Sequence, residues 1–485
     1  SAPTLNVDET RNFITEQWDN SIISELEEYI RIPNLSPDFD PNILTNGYQD
    51  QAIDLMVNWV KKQNVEGLTL EVIREEGRTP IIFMEVAATV GNDSAVKPGT
   101  VLMYGHMDKQ PPFEGWDEGL GPYTPVIRDY HGSPALYGRG GADDGYAIYA
   151  SITAIQALKR QNVPHSRIVV IIEGSEESGS PDLMFYVENL KSRIGQPNFI
   201  ICLDSGAGDY DHLWLTTSLR GIAIGTLTVS LLSEGVHSGA GSGIVADSFR
   251  VARMLLSRLE DENTGEIKLD ALKVDIPQQR IDQTRVTAEV LGPRCVAVPK
   301  HDTVIPNSDD HVEILLNKTW RPTLTVTGAG GLPPIAKAGN VLRPVTQLKI
   351  SVRLPPTLDV EVAKQAIKDL LESNPPYGAR VTCDMGHAGS GWAAPDIADW
   401  LNDALQSSSK TYFGRQCLFQ GEGGSIPFMG QLGAAFPKAQ FAIMGLLGPN
   451  SNAHGPNEFL HIPYGKKLTM CVSELLAKHA AVPDQ

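Results

Sequence analysis

Short runs rich in valine and isoleucine alternate along this chain with helix-like segments, and this alternation restricts the fold more than any other feature. The runs lie at residues 100–104, 167–172 and 198–203, and each ends in a cluster of Gly, Ser, Asp or Glu. Between them we expect a helix at 145–160 and another with Ser180 as its N-cap. Strands that are apolar throughout are typically buried on both faces. The sequence therefore predicts an α/β fold with a mainly parallel sheet flanked by helices.

The pattern changes near Leu219. Residues 222–231 alternate like a half-exposed strand, and residues 247–259 have the periodicity of an amphipathic helix with Asp247 as its N-cap. From Trp392 onward the α/β pattern returns. We therefore predict a discontinuous first domain with an α+β domain inserted in it. The predicted boundaries are 1–217 and 392–485 for the first domain and 218–391 for the inserted domain.

Acidic residues and histidines follow the predicted strands. Because the carboxyl ends of parallel strands meet at one edge of a sheet, we expect these side chains to lie together. Crowded carboxylates repel one another unless cations lie among them, and two histidines with several carboxylates suit a pair of divalent metals. One acid after a strand is commonly a helix cap, but four glycine-flanked clusters favour a dinuclear metallohydrolase. The residues are His106, Asp108, Asp143, Glu176, Glu177, Asp204 and His454.

Charge and hydropathy exclude other classes of protein. The chain has 40 Lys and Arg against 58 Asp and Glu, a formal net charge of −18. This excess argues against nucleic-acid and anionic-membrane partners, which both require clustered basic residues. The strongest apolar runs are far shorter than the ~20 residues of a membrane span. The phosphate loop GxxxxGK[ST] and the nucleophile motif GxSxG are both absent from the sequence.

Cysteine usage favours a reducing environment. The five cysteines are an odd number, widely spaced and without a CxxC pair. We expect buried thiols and a cytoplasmic location. The chain begins at Ser1 rather than Met, so cleavage of a signal peptide remains an open alternative.

Five motifs are similar to those of the M20 family of zinc peptidases, and most to its carnosinase-type dipeptidase branch. The similarity extends over nearly the whole chain. The motifs are GHMDKQP (105–111), YGRGGADD (137–144), EGSEESGS (173–180), GEGGSIP (421–427) and AHGPNE (453–458).

The resemblance implies two divalent metal ions per subunit, with Zn²⁺ first and Mn²⁺ or Co²⁺ as alternatives. By this resemblance, Asp143 would bridge the two ions. His106 and Asp204 would complete one metal site. Glu177 and His454 would complete the other.

Two further residues of the same cluster receive roles from the resemblance. Glu176 would be the general base that deprotonates the attacking water and later protonates the leaving amine. Asp108 would hydrogen-bond the far nitrogen of His106 and fix its orientation. The peptide bond between Asp143 and Asp144 is expected to be cis, as in many members of the family.

The resemblance also implies residues that bind the substrate. His237 would reach the active site of a neighbouring subunit, and Arg353 would bind the substrate carboxylate. Glu422 would hold the free amino group, and Gly424 and Ser425 would bind the other end of the substrate. The residues alone favour non-functional roles: His237 as a turn residue before a Gly-rich loop, Arg353 as a surface strand residue and Glu422 as a solvated loop acid.

The leading functional hypothesis is metal-dependent hydrolysis of dipeptides or short peptides with a free amino terminus. One alternative is an N-acyl amino acid deacylase of the same family, and another is a non-catalytic binding protein on a peptidase scaffold. The inserted domain would act as a lid and as the surface of a homodimer. Two departures from the family motifs, Gly145-Tyr146 in place of Lys-Gly and Gly421 in place of Arg, leave the substrate open.

Overall fold

A computed structural model describes residues 3–89 and 99–482, so Ser1, where the sequence begins, lies outside the described residues. The chain forms two compact units. The first unit comprises Ser1–Thr216, Ala394–Gln420 and Gln431–Gln485, and the second comprises Thr217–Ala393 and Gly421–Gly430. The short segment Gly421–Gly430 thus belongs with the second unit, although it is distant from the rest of that unit in sequence.

A mixed sheet forms the centre of the first unit. Its four middle strands are parallel, and antiparallel strands flank them on both sides. The α/β architecture predicted from the sequence is therefore confirmed. The spatial order of the strands is Leu68–Ile73, Ile81–Val86, Arg167–Glu173, Thr100–His106, Phe199–Leu203, Gln440–Met444 and Trp214–Leu219. Two short strands, Trp392–Ala393 and Leu418–Glu422, both pair with Trp214–Leu219.

Burial explains why the central strands lack an alternating pattern. Every residue of Phe199–Leu203 is buried, as is every residue of Arg167–Glu173 after the first. Both faces of these strands are covered, so both faces are apolar. The helix expected next to them is found at Tyr146–Arg160.

The predicted N-cap at Ser180 is wrong. Ser180 has φ +53°, and the next helix begins at Leu183. The Ser180 hydroxyl instead donates a hydrogen bond to the buried carboxylate of Glu173 at 2.6 Å. The hydroxyl that the sequence pattern assigned to a helix cap therefore bonds to the last residue of the preceding strand, seven residues earlier.

The remaining elements of the first unit surround the sheet. Trp18 in the N-terminal helical segment is fully buried, and its indole Nε1 donates to Thr469 Oγ1 of the last helix at 3.0 Å. A small antiparallel sheet contains Val126–Tyr130, Ser133–Tyr137 and Phe459–His461. The other helices are Val7–Gln17, Ile23–Arg31, Tyr48–Gln63, Leu183–Asn189, Lys191–Ile194, Asp399–Phe413 and Ile462–Ala480, with Pro427–Ala435 at the boundary between the units.

The second unit is built on a four-stranded antiparallel sheet. The strand Gly221–Ser230 alternates strictly between buried and partly buried residues, because only one face of this sheet is covered. A hydrophobic core joins that face to the helices Ser248–Leu259 and Val360–Glu372. The strand order is Thr323–Gly330, Val345–Leu354, Gly221–Ser230 and Arg380–Gly389. The unit also contains the helices Ser238–Gly241, Gln278–Leu291 and His311–Thr319 and the strand pair Val236–His237 and Val341–Leu342.

No helix within the described ranges has both the length and the apolar character that a bilayer span requires.

Asp247 caps the helix Ser248–Leu259 as the sequence predicted, since its side chain accepts a hydrogen bond from Phe249 N at 3.2 Å. We expect Asp247→Ala to lower the free energy of unfolding by about 1 kcal/mol, measured by urea denaturation. Asp247→Ser, which keeps an acceptor at the cap, should retain most of this stability. Equal losses in the two variants would contradict a capping role.

Candidate metal centre

The predicted ligands converge at the carboxyl edge of the central sheet. His106 is the last residue of Thr100–His106, and Asp204 follows Phe199–Leu203 directly. Glu176 begins a short turn three residues after the end of Arg167–Glu173. Because these strands are parallel neighbours, their ends bring these side chains to one place.

Asp143 lies between two histidines. Its Oδ1 is 3.1 Å from His106 Nε2, and its Oδ2 is 3.0 Å from His454 Nε2. Asp204 Oδ1 lies 3.2 Å from His106 Nε2, and Glu177 Oε2 lies 3.2 Å from His454 Nε2. The donor atoms of the described residues form three groups, two of which share Asp143 and contain one histidine and a second carboxylate each. The third group joins His106 to Glu176 and Glu177. This donor set fits two divalent ions bridged by one carboxylate.

The buried carboxylate of Asp108 contacts three members of the cluster, His106, Glu176 and Glu177. Its Oδ1 and Oδ2 accept hydrogen bonds from the backbone amides of Glu176 and Glu177 at 3.1 and 2.9 Å. Asp108 Oδ1 is also 3.3 Å from His106 Nδ1, and the Asp108 carbonyl oxygen is 3.1 Å from the same nitrogen. One buried carboxylate therefore orients a histidine and the turn that carries both glutamates.

The electrostatics of the cluster favour bound cations. Burial raises the pKa of Glu176 well above its usual value, and Asp204 and Glu177 raise it further. Burial likewise raises the pKa of Glu177 to about 8 and that of Asp204 to about 6. Burial lowers the pKa of His454, but Asp143 and Glu177 outweigh it and raise that pKa to about 10. Divalent ions would offset the repulsion that these shifts report.

The segment after Asp143, which departs from the family motif at Gly145 and Tyr146, is held in place by the buried side chain of Tyr146. The bond between Asp143 and Asp144 is cis, as expected. Tyr146 is buried at the start of its helix, and its hydroxyl donates to the Leu203 carbonyl at 3.0 Å. Since Leu203 precedes Asp204, Tyr146 supports the strand end that carries this predicted ligand.

A buried ion pair connects the two loops of the cluster. Arg139 Nη1 lies 2.8 Å from Glu458 Oε1, and both side chains are 1% exposed. Glu458 Oε2 accepts hydrogen bonds from the amides of Gly140 and Asp143 at 3.0 and 3.3 Å. Arg139 Nη2 donates to the carbonyl of Gly455, next to His454, at 2.6 Å. Arg139 and Glu458 each belong to a motif noted in the sequence, but their pairing was not predicted, because nothing local in the sequence indicates it.

The N-terminal helices also support this edge of the sheet. Lys109 is fully buried, and its Nζ donates to the carbonyls of Tyr29, Ile30 and Ile32 at 2.8, 3.1 and 2.5 Å. The Tyr29 hydroxyl donates in turn to the Met107 carbonyl at 2.5 Å. The turn after His106 is therefore tied to the end of helix Ile23–Arg31.

The predicted substrate-binding residues all lie in the second unit. Arg353 Nη1 is 3.4 Å from Ser425 Oγ, so the structure brings these two together. Burial raises the pKa of Glu422, opposed by the charge of Lys318. Gly424 borders open space. The remaining one, His237, is exposed and accepts a hydrogen bond from Gly239 N at 3.0 Å.

Arg220 is a residue of this region that the sequence reasoning missed. Its buried guanidinium donates to the carbonyl of Gly423 at 3.0 Å and to two other backbone carbonyls. Its own carbonyl accepts a hydrogen bond from Ser425 Oγ at 2.6 Å. Arg220 therefore fixes the segment that contains Glu422 and Ser425. A basic residue at the end of a strand carries no sequence signal for such a role.

The Arg139–Glu458 pair yields a direct test of the metal cluster. We expect Glu458→Ala to lower the free energy of unfolding by about 3–5 kcal/mol, because it leaves Arg139 buried without its partner. Divalent-metal affinity should fall about 10- to 100-fold, since the loops of Asp143 and His454 lose the ion pair and the amide hydrogen bonds that Glu458 makes between them. Urea denaturation and equilibrium metal titration measure the two effects.

The control for this variant is Glu474→Ala, which removes a partly buried carboxylate bonded to Tyr412 Oη at 2.9 Å. It should lower stability while leaving metal affinity within about twofold of the original. Equal metal affinities in the Glu458 and Glu474 variants would show that the buried pair does not support the cluster.

Comparisons with known proteins agree with this geometry. The peptidase family M20/M25/M40 matches residues 102–478. A cysteinylglycine-S-conjugate dipeptidase of Corynebacterium striatum is 27% identical over 365 residues, 74% of this chain and 76% of the relative. A human Beta-Ala-His dipeptidase is 27% identical over 365 residues, 73% and 69% of the two chains.

Solved structures show the same fold. Human carnosine dipeptidase 1 superposes with a TM-score of 0.69 at 22% identity, over 99% of this chain and 100% of that one. The dipeptidase Dug1p from Saccharomyces cerevisiae gives a TM-score of 0.70 at 21% identity, over 99% of both chains. The family and branch indicated by the motifs are confirmed. The chain belongs to the peptidase family M20/M25/M40, and within that family it is similar to the carnosinase-type dipeptidases.

Proposed function

We propose that this protein hydrolyses dipeptides, or short peptides with a free amino terminus, with two divalent metal ions. The observation that carries the proposal is Asp143, which faces a different histidine with each of its carboxylate oxygens, while the acid Glu176 lies 3.4 Å from one of those histidines, His106. The names of the relatives, dipeptidases for cysteinylglycine conjugates and for Beta-Ala-His, support the same reaction.

In this proposal the metal ions would be Zn²⁺, with Mn²⁺ or Co²⁺ as alternatives. Asp143 would hold both ions, with His106 and Asp204 as the further ligands of one and His454 and Glu177 as those of the other. Bound ions would supply polarisation of the scissile carbonyl and a lower pKa of the attacking water.

Glu176 is the proton carrier of the reaction. Its Oε2 lies 3.4 Å from His106 Nε2, so its carboxylate reaches the space beside the predicted ligands. It accepts a proton from the attacking water and returns it to the nitrogen of the leaving amine. Asp108 holds the Glu176 backbone through the amide hydrogen bond and keeps His106 in one orientation.

The second unit provides substrate recognition in this proposal. Glu422 binds the free amino group, Arg353 binds the terminal carboxylate, and Gly424 and Ser425 contact the remaining backbone. Arg353 suits this task because the described residues offer it a hydroxyl but no carboxylate partner. We further propose that residues 1–217 and 392–485 form the catalytic domain and that residues 218–391, inserted between them in sequence, form the lid and the homodimer surface. His237 of this inserted domain would act on the neighbouring subunit.

We also propose a reducing, cytoplasmic location. All five cysteines are free thiols in the structure, and four of them are buried. Unpaired cysteines are typical of proteins that work where thiols remain reduced.

A deacylase acting on N-acyl amino acids uses the same metals but has no substrate amine for Glu422. This alternative is not favoured, because the relatives that align over most of the chain are named dipeptidases. A succinyl-diaminopimelate desuccinylase matches at 33% identity but over only 26% of this chain.

Glu176→Gln tests the proposed mechanism. We expect kcat for a dipeptide in the presence of Zn²⁺ or Mn²⁺ to fall about 10²- to 10⁴-fold, because the amide cannot accept the proton of the water. Metal content, measured by elemental analysis, should stay at two equivalents per chain, as in the control Glu188→Gln on an exposed helix position. Retained turnover in the Glu176 variant with full metal content would disprove the role of this residue.

Glu422→Gln tests the substrate class. Loss of the negative charge should raise KM for dipeptides about 10-fold or more, since a charged hydrogen bond to the substrate amine is lost. N-acetylated versions of the same dipeptides should be poor substrates of both proteins. Turnover of N-acyl amino acids that is unaffected by Glu422→Gln, with inert dipeptides, would instead establish the deacylase.

A further inference from the structure

Phe113 is an exposed aromatic residue in a backbone conformation that favours glycine. Its φ is +54°, and 49% of its surface is exposed. A bulky residue is seldom found in the left-handed region, and such outliers concentrate at functional sites. Because half of the side chain is exposed, packing in the hydrophobic core does not explain why an aromatic residue occupies this position.

Two side-chain hydrogen bonds fix the segment that carries Phe113. The Pro111 carbonyl accepts a hydrogen bond from Arg139 Nε at 3.0 Å. The Pro112 carbonyl accepts one from Trp116 Nε1 at 2.8 Å. Both bonds hold the two residues that precede Phe113, and the second joins them to the Trp116 side chain three residues after the ring, so the ring is presented from an anchored turn.

Gln110 and Arg139 connect the segment of Phe113 to the two parts of the metal cluster. Three residues earlier, Gln110 Nε2 donates a hydrogen bond to Glu177. The guanidinium carbon of Arg139 is 5.7 Å from the centre of the Phe113 ring. The same guanidinium donates to the carbonyl of Gly455, the neighbour of His454. The ring is thus one contact away from the segment of His454 and a short turn away from Glu177.

We propose that Phe113 is a specificity-determining residue, whose ring packs against an apolar side chain of the dipeptide held at the metal centre. The ring contacts the Arg139 guanidinium and is half exposed, so it still has apolar area for a substrate side chain to cover. Burial of that area on binding favours apolar over polar side chains. This inference rests on the proposed dipeptidase function and adds to it the class of side chain preferred.

The experiment compares kcat/KM for Leu-Gly with Ser-Gly and for Gly-Leu with Gly-Ser, using the metal-loaded full chain. Phe113→Ala and Phe113→Gly should lower the preference for leucine about 10-fold in at least one of the two series, because the apolar contact is lost. Phe113→Trp should keep the preference within about threefold of the original. Phe113→Asn, a polar residue that tolerates this φ, provides a second loss variant if the others fold poorly.

The matched control is Tyr377→Gly. Tyr377 is also an aromatic residue with positive φ, +58°, is 66% exposed, and has the Arg250 guanidinium 5.0 Å from its ring centre. This variant removes a similar ring and relieves a similar backbone conformation, and it should leave both leucine preferences unchanged.

Three results would overturn the inference. Unchanged preferences in both series for the Phe113 variants would do so while leaving the dipeptidase function intact. Lower metal content and thermal stability with unchanged preferences would show that Phe113 only supports the loop. A metal-loaded unaltered protein that hydrolyses none of the four dipeptides would overturn this inference together with the proposed function.

Discussion

The crowding of carboxylates around Asp143 is the constraint on which the rest of the first unit depends. Each oxygen of Asp143 faces a different histidine, and Glu177 and Asp204 lie beside the same two rings. Such a cluster is electrostatically costly, so the fold must hold it rigidly and offset its charge. The buried Arg139–Glu458 pair, with its backbone hydrogen bonds, provides part of that rigidity.

The sequence predicted the parts of this arrangement that depend on local pattern. Fully apolar strands identified the central sheet, and the parallel order of the strands explains why residues at their carboxyl ends meet. Pairings between side chains could not be predicted, because no periodicity encodes them. Arg139 pairs with Glu458, 319 residues away, and Ser180 bonds to Glu173, seven residues earlier, instead of capping a helix. The roles of the ligands came from motif resemblance, whereas their proximity is a property of the fold.

The segment of the second unit that contains Glu422 and Ser425 is held by backbone contacts instead of an ion pair. Arg220 uses backbone carbonyls rather than acids as partners, so its charge remains uncompensated within the described part of the chain. The charge of Arg353 in turn lowers the pKa of Arg220, after the larger effect of burial. Two neighbouring guanidinium groups without carboxylates create a positive potential next to Ser425. An anionic group of a substrate would satisfy that potential, which agrees with the carboxylate-binding role proposed for Arg353.

Lys109, in the first histidine motif, ties the N-terminal helices to the metal cluster and so affects which truncated forms of the chain can keep that cluster intact. Lys109 closes the end of helix Ile23–Arg31, and Tyr29 in that helix bonds to the Met107 carbonyl. The family match begins only at residue 102, so these N-terminal helices fall outside the region by which the family is recognised. A chain shortened to the matched region would lose the carbonyl partners of Lys109 and the tyrosine hydroxyl that bonds to Met107, and with them the contacts that fix the turn after His106.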